Sequence, residues 1–391
     1  MKRVLPDKEY IISLRRELHR YPEVGFDLPK TLALVRRELD ALGIEYTERY
    51  GKSSIVGYLA KGRGRVLAMR ADMDALPIEE RTGLPFSSEH EGMMHACGHD
   101  AHTAMLLGTA KMLKEIEDEL PCEVRLFFQA AEEYAPGGAK LMSEDGAMDE
   151  VDAIIGAHVA ASVATGKISF NYGSMTASSH GFYLDIYGKS AHAAAPQYGV
   201  DAIALSYEIY GAIQLMRARE INPKAPVVVG IGEIHGGHAN NVVCDYVRMH
   251  GTIRSANNET DETVFRRIDE IAKSVTATRG ARYELTTTKR YPVLTNDESL
   301  ARMLYDCGAR VLGAENVIDT HTQSMGGEDF AFFSERKPGV FFDIGARNEG
   351  YPISPAHNPG FIIDEDALTV GPRIFTEFLF EYAKSAENMT K

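Results

Sequence analysis

The chain has 391 residues, 44% of them hydrophobic and 25% charged, ordinary for a soluble globular protein long enough for two domains. Its net charge of −14 and pI near 5.4 argue against nucleic acid and anionic membranes as partners.

The start, MKRVLPDKEYIISLRREL, is basic but lacks the apolar region of a secretory signal. Within it Tyr10, Ile11, Leu14 and Leu18 recur at helical spacing and predict a helix that ends before Pro22. RVLAMR (65–70) reads as a strand leading into ADMDALPIEE, and AMLLGTAKMLKEIEDEL as a helix ending before Pro121. EVRLFFQA (123–130) and VDAIIGAHV (151–159) read as buried strands, with the glycine-rich loop AEEYAPGGAK between them. Strands alternating with helices predict an α/β layer on a mainly parallel sheet. From GFYLDIYGKS (181–190) to ARYELTTTK the order becomes β-α-β-β-α-β, that of a ferredoxin-like unit. Alternation then resumes with a helix in ESLARMLYDCGARVL, a strand in VFFDIGA and a C-terminal helix in DALTVGPRIFTEFLFEYAK. The expectation is a discontinuous α/β domain, residues 1–175 and 290–391, with a smaller α+β domain inserted at 176–289. No run approaches the roughly 20 apolar residues of a membrane span. Cys97, Cys122, Cys244 and Cys307 lack a disulfide-like spacing, which points to a reduced, cytoplasmic protein.

HACGHDAH (95–102) concentrates possible metal donors. On extended chain Cys97 and His99, two apart, face the same way and could bind together, while Asp100 suits the N-cap of the following helix. Alone, a C-x-H pair is more often a structural cysteine beside an incidental histidine. Partners elsewhere strengthen it. Glu132 and Glu133 follow the C-terminal end of a buried strand, where open α/β sheets place their ligands, and neighbouring carboxylates there can divide metal binding from proton transfer. A bare Glu-Glu pair is more commonly a solvated turn. His158 ends an apolar run, where a core histidine is the bland option, and His357 sits in SPAHNPGF, a proline- and glycine-flanked loop that suits a fixed ligand position. Asp72 and Asp74, in RADMDALP, could orient a ligand histidine. H-E-x-x-H, G-x-S-x-G, C-x-x-C and a phosphate-binding glycine loop are absent.

HRYPEVGF, RADMDALPIEE, MHACGHDAHTAMLLGTA, FFQAAEE, GAHV, GKSAHAAAP, NNVVCDYVRMHGTIR, GGEDFAFF and PAHNPGF follow one another across essentially the whole chain. In this the chain resembles the amidohydrolases that include N-acyl-amino-acid amidohydrolases, hippurate hydrolases and indole-acetyl-amino-acid hydrolases, relatives of carboxypeptidase G and aminoacylase. The resemblance implies a discontinuous metallopeptidase domain with an inserted ferredoxin-like lid that makes a homodimer. It also implies two divalent metal ions bound by Cys97, His99, Glu133, His158 and His357, with Cys97 where most of the wider superfamily has a bridging carboxylate. Glu132 matches the general base, Asp72 a supporting aspartate, and His192 the histidine that stabilises the oxyanion. Asn241 and Arg254 match positions that bind the substrate carboxylate. A thiolate ligand favours a thiophilic, borderline metal such as zinc; the expected ions are zinc or manganese, with cobalt and nickel as further options.

The implied reaction is hydrolysis of the amide of an N-acyl amino acid; an N-acetyl-diaminopimelate deacetylase or related small-peptide hydrolase would share nearly all these motifs. Two departures bear on the substrate. Cys244 replaces the usual proline of NV[IV]PD, an expected loosening of that turn, and Ala130 stands where proline is common, before a slightly longer loop. A cysteine hydrolase using Cys97 would leave Glu133, His158 and His357 without a task, and a non-catalytic metal-binding scaffold would have no need of Glu132.

Overall fold

The computed structural model describes residues 4–389; the basic start at 1–3 lies outside the described residues. In chain order the first part forms α1 (Lys8–Arg20), α2 (Pro29–Leu42), β1 (Glu45–Thr47), β2 (Ile55–Leu59), β3 (Val66–Asp72), α3 (His99–Glu115), β4 (Glu123–Gln129), α4 (Gly138–Glu144), β5 (Ala153–Ala164), β6 (Ile168–Phe170) and β7 (Gly173–Thr176). Then come β8 (Ser179–Tyr187), β9 (Ala191–His192), α5 (Ala202–Arg219), β10 (Val227–Gly236), β11 (Val242–Val243), β12 (Tyr246–Ser255), α6 (Asn258–Ala277) and β13 (Arg282–Tyr291). The remainder gives β14 (Leu294–Asn296), α7 (Glu298–Leu312), β15 (Val317–Asp319), α8 (Ala331–Ser334), β16 (Gly339–Arg347) and α9 (Val370–Met389).

Two compact units result. The larger runs to Met175 and resumes over Thr295–Thr322 and from Glu328 onward. Its sheet has the order β1-β2-β4-β3-β5-β16-β6-β15. The central strands β4, β3, β5 and β16 run parallel, with antiparallel joints at β2–β4 and β16–β6. Strands covered on both faces need continuous rather than alternating apolar sequence, and β3 and β4 are buried at every position. α3 is buried nearly all round, from His99 to Leu113.

The smaller unit, Thr176–Leu294 with Gln323–Gly327, carries the antiparallel sheet β10-β12-β8-β13 with α5 and α6. In order of appearance these strands stand 2-3-1-4, with neighbours antiparallel throughout, as in a ferredoxin-like unit. Its own core includes Phe182, Leu184, Ile209, Ile213, Met249 and Ile268. At Cys244, where proline was expected, hydrogen bonds brace the turn. The buried thiol donates to the Tyr246 carbonyl at 3.0 Å, and the Cys244 carbonyl accepts from Ala202 N at 2.8 Å.

Several elements depart from the sequence reading. α2 was not anticipated, although Pro29 opens it and Gly43, in the left-handed conformation, closes it. β1 and β2 were also missed, and the glycine-rich loop after β4 contains α4. The predicted helix 104–120 is α3, which starts five residues earlier and gives way at Glu117–Glu119 to a 3-10 turn.

Register sets the level of the functional residues. Asp72 pairs with Gln129 at the end of β4, and Arg70 with Gly156 on β5, so His158 stands level with Asp72. Gly156 itself lies where no side chain fits: a Cβ there would be 2.7 Å from the Phe330 ring and 2.9 Å from that of Phe341. Gly156→Val should therefore lower stability by about 1–3 kcal/mol through overpacking; an unshifted urea midpoint would contradict this packing.

Candidate metal centre

The octet turns sharply between its two donors. Gly98 has φ 89° and caps α3, and a Cβ on it would lie 2.3 Å from Cγ2 of Val159. Glycine is thus required twice over, by the left-handed turn and by the close approach. Cys97 precedes this turn, and His99 is the first helical residue. Asp100 does not cap the helix as expected. Its Oδ2 accepts from Arg15 Nε at 2.8 Å and lies 2.8 Å from His19 Nδ1, because a buried carboxylate gains more from charge-assisted partners than from a backbone amide.

The other expected donors converge on this turn. Cys97 Sγ lies 3.2 Å from His158 Nε2. His158 Nδ1 lies 2.8 Å from the Val159 carbonyl, which takes its proton, so Nε2 is the nitrogen turned toward Cys97; beside that sulfur the ring is raised to about 10 and is charged in the metal-free protein. His357 Nε2 lies 2.8 Å from Glu133 Oε1. Its loop is tied to the octet by His357 N donating to Ala96 O at 2.8 Å, and His357 has φ 64°, a conformation uncommon outside glycine. The His357 side chain is 52% exposed whereas His99 is buried, so one side of the cluster faces outward.

Ligand atoms of Cys97, His99 and His158 lie within 4.8 Å of one another, as do those of Cys97, Glu133 and His357. Cys97 is common to both groups. A third group joins His99, Glu132 and Glu133. One sulfur, three imidazoles and a carboxylate suit borderline divalent ions. Neither ring nitrogen of buried His99 makes a hydrogen bond; the nearest carboxylate oxygens stand 3.4 Å away on Asp74 and 3.8 Å away on Asp72. Unbonded buried nitrogens of this kind fit a bound cation.

A layer of charged groups holds the cluster. Ala131, with φ 53°, turns the chain after β4, and Asp74 accepts from Glu132 N at 2.9 Å and Glu133 N at 3.2 Å. Asp72 Oδ1 accepts from His102 Nδ1 at 2.5 Å, and His102 Nε2 accepts from Val159 N at 2.8 Å. Asp72 thus grips His102, and Asp74 lies closer to His99. Sequence reasoning gave His102 no role; its neighbour in the octet, His95, is buried with neither ring nitrogen hydrogen-bonded. It also missed Arg70, fully buried and within 3.0 Å of Asp72, Glu328 and Asp329. An arginine inside the apolar run RVLAMRAD was the available signal.

These surroundings shift the ionisable groups apart. Burial, reinforced by Glu328, Glu133 and Asp329, raises the Glu132 carboxyl well above its usual range. Burial pushes Glu133 up as well, but the His357 hydrogen bond and the charges of His99 and His357 outweigh it and leave Glu133 low. Burial would raise the Cys97 thiol too; His158 and His99 prevail and bring it down to about 6. Asp343, near His158, is raised by burial to about 6.

Residues 68–381 match the peptidase family M20/M25/M40. The chain belongs to this family. It is a metal-dependent amidohydrolase, as the motif resemblance implied. It is 37% identical to an N-acetyl-L-cysteine deacetylase of Bacillus subtilis, over 96% of this chain and 88% of that protein. It is 36% identical to an IAA-amino acid hydrolase of Arabidopsis thaliana, over 97% and 88%. A dinuclear metal binding peptidase of the M20 family from Bacillus subtilis superposes with a TM-score of 0.84 at 34% identity, covering 96% of this chain and 98% of that one.

The remaining predicted residues of this M20-family chain belong to the smaller unit. His192 is exposed on β9, pairs with Val242 and accepts from Ala194 N through Nδ1 at 3.0 Å. Asn241 adjoins that pair, its carbonyl accepting from Ala193 N at 2.9 Å. Arg254 lies on β12, in the other sheet, and donates to the Met325 carbonyl at 3.1 Å. His192 and Asn241 are therefore neighbours, and Arg254 belongs to a different sheet.

In the metal-free protein with Cys244 replaced by Ser, thiolate absorbance should rise with a midpoint near pH 6, from Cys97. Cys122 and Cys307, pushed up by burial to about 11 and about 12, stay protonated there. His158→Ala should move the midpoint up; a Cys97 midpoint at the ordinary thiol value of about 8.5 would contradict the arrangement.

Proposed function

We propose that this chain is a two-metal enzyme hydrolysing N-acyl amino acids to a carboxylate and a free amino acid. The observation that carries the reading is the pair of ligand groups sharing Cys97, with the buried Glu132 carboxyl beside them. Cys97, His99 and His158 would hold one ion, and Cys97, Glu133 and His357 the other. Bound there, two divalent ions supply Lewis-acid polarisation of the amide carbonyl and lower the pKa of a water to about 7. Zinc or manganese suits the mixed thiolate, imidazole and carboxylate set, with cobalt and nickel as further options.

Glu132 takes the proton of the attacking water and later delivers it to the leaving amine, which is otherwise a poor leaving group. A raised pKa suits that exchange, because the group must both accept and release a proton near neutral pH. Asp74 fixes the backbone of both glutamates, so Glu132 and Glu133 cannot exchange roles. Asp72 fixes His102 beside His158. His192 is assigned to the oxyanion, with Asn241 and Arg254 assigned to the substrate carboxylate. The names of the deacetylase and IAA-amino acid hydrolase relatives support an acyl amino acid as substrate. A deacetylase of N-acetyl-diaminopimelate or a small-peptide hydrolase would use the same machinery. The inserted unit is assigned as lid and homodimer contact, and the four free cysteines suit the cytoplasm.

The short Cys97–His158 contact also favours a second reading, a cysteine hydrolase with a thiolate–imidazole pair. Chelation separates them. EDTA should abolish hydrolysis and added zinc or manganese restore it, whereas a cysteine hydrolase would keep turning over. Glu132→Gln should retain both metal ions by elemental analysis and lose hydrolysis by about 10²-fold or more; full activity in that variant would remove Glu132 from its role and reopen the reading as a binding scaffold. His192→Ala should lower kcat far more than it raises KM, and the opposite pattern would make His192 a substrate-binding residue.

A further inference from the structure

One carboxylate beside the centre has no task in this chemistry. Asp343, on β16, is the cross-strand partner of His158 on β5 and of Ser169 on β6. Cross-strand partners share a face of the sheet about 5 Å apart, so His158, Asp343 and Ser169 form a row across three strands. Ser169 Oγ lies 3.5 Å from Asp343 Oδ2, at the limit of a hydrogen bond. On β16 the neighbours Phe342 and Ile344 are buried, whereas Asp343 and His158 are only half-buried. His158 and Asp343 are thus reachable from outside the packed core at the strand level of the candidate metal centre, while Ser169 is buried.

Asp343 belongs to none of the groups of candidate ligands. Nor does it orient His158, whose Nδ1–H goes to the Val159 carbonyl and whose Nε2 faces Cys97. Among the described residues it makes no ion pair, and the Ser169 hydroxyl is its only hydrogen-bond partner. A half-buried carboxylate with a single hydroxyl 3.5 Å away is only partly compensated, so a cation brought against it is stabilised. A neutral aliphatic substrate would leave it uncompensated, and an acidic one would be repelled. A flexible ammonium on a long stem supplies the charge with little steric demand.

We propose that Asp343 is a specificity-determining residue that pairs with a cationic nitrogen of the substrate, so that the preferred N-acyl amino acid carries a basic side chain ending in an ammonium group. This rests on the hydrolysis proposed above.

The test uses the zinc-loaded enzyme with Nα-acetyl-L-lysine and Nα-acetyl-L-norleucine, which differ by the terminal ammonium. The native enzyme should favour the lysine substrate in kcat/KM by about tenfold or more, the size of a charge-assisted hydrogen bond. Asp343→Asn should bring the ratio close to one through loss on the lysine substrate alone, with zinc content unchanged. Activity on norleucine serves as the control for folding, and Asp343→Glu should keep the preference. A native preference for norleucine, or an equal loss on both substrates in Asp343→Asn, would overturn the assignment and leave amide hydrolysis standing. Calorimetric binding of free L-lysine and L-norleucine requires no turnover. An Asp343-dependent preference for lysine, with no N-acyl amino acid hydrolysed, would uphold the pairing and overturn the hydrolytic reading.

Discussion

The buried guanidinium of Arg70 makes the acidic end of the sheet possible. Asp72, Glu328 and Asp329 all lie within 3.0 Å of it, and Gln129 Oε1 accepts from its Nε at 2.8 Å. Removing several carboxylates from water is affordable only when a cation and donors replace the solvent. Each partner then holds something further. Asp72 fixes His102, Asp329 accepts from Ala139 N at 3.0 Å, and Asp329 N donates to Glu132 Oε1 at 3.3 Å. One arginine thus links the end of β3, the turn after β4 and the segment before α8.

Burial beside this network has opposite consequences for two adjacent residues. Glu132 faces Glu328 and Asp329 and is pushed toward its neutral form; Glu133 turns to His357 and stays charged. Their backbone amides are both held by Asp74, which keeps the two carboxylates in their separate surroundings. Cys97 shows the same principle with sulfur. Its burial disfavours a thiolate, and only the imidazoles of His158 and His99 reverse the preference. A thiolate at the shared position brings one negative charge and a soft donor to both ligand groups, which is consistent with borderline metals.

The legibility of this arrangement in the sequence was uneven for physical reasons. Apolar runs such as EVRLFFQ and AIIGAHV are dense enough to declare buried strands, and the β-α-β-β-α-β order of the smaller unit follows from period alone. α2 had a signal that the sequence reading left unused: Leu32, Val35, Leu39 and Leu42 recur at helical spacing between the end signals Pro29 and Gly43. Asp100 misled because a cap is a competition between partners. Arg15 and His19, distant in sequence, won the carboxylate that local rules assign to the backbone. Arg70 and His102 escaped because a network spanning residues 70 to 329 has no local spacing to detect.

Taken alone, then, the residues determined the α/β class, the inserted unit and, through ordered motifs, the family and a list of candidate metal donors. What tertiary structure decided was the grouping. It made Cys97 common to two donor groups, separated Glu132 from Glu133 by their surroundings, assigned Asp72 to His102, and set Asp343 beside His158. Donor types are covalent properties of the chain, legible residue by residue. Which lone pairs face one another, and which charges must share a dry space, depends on strand register and burial, and those exist only once the sheet has formed.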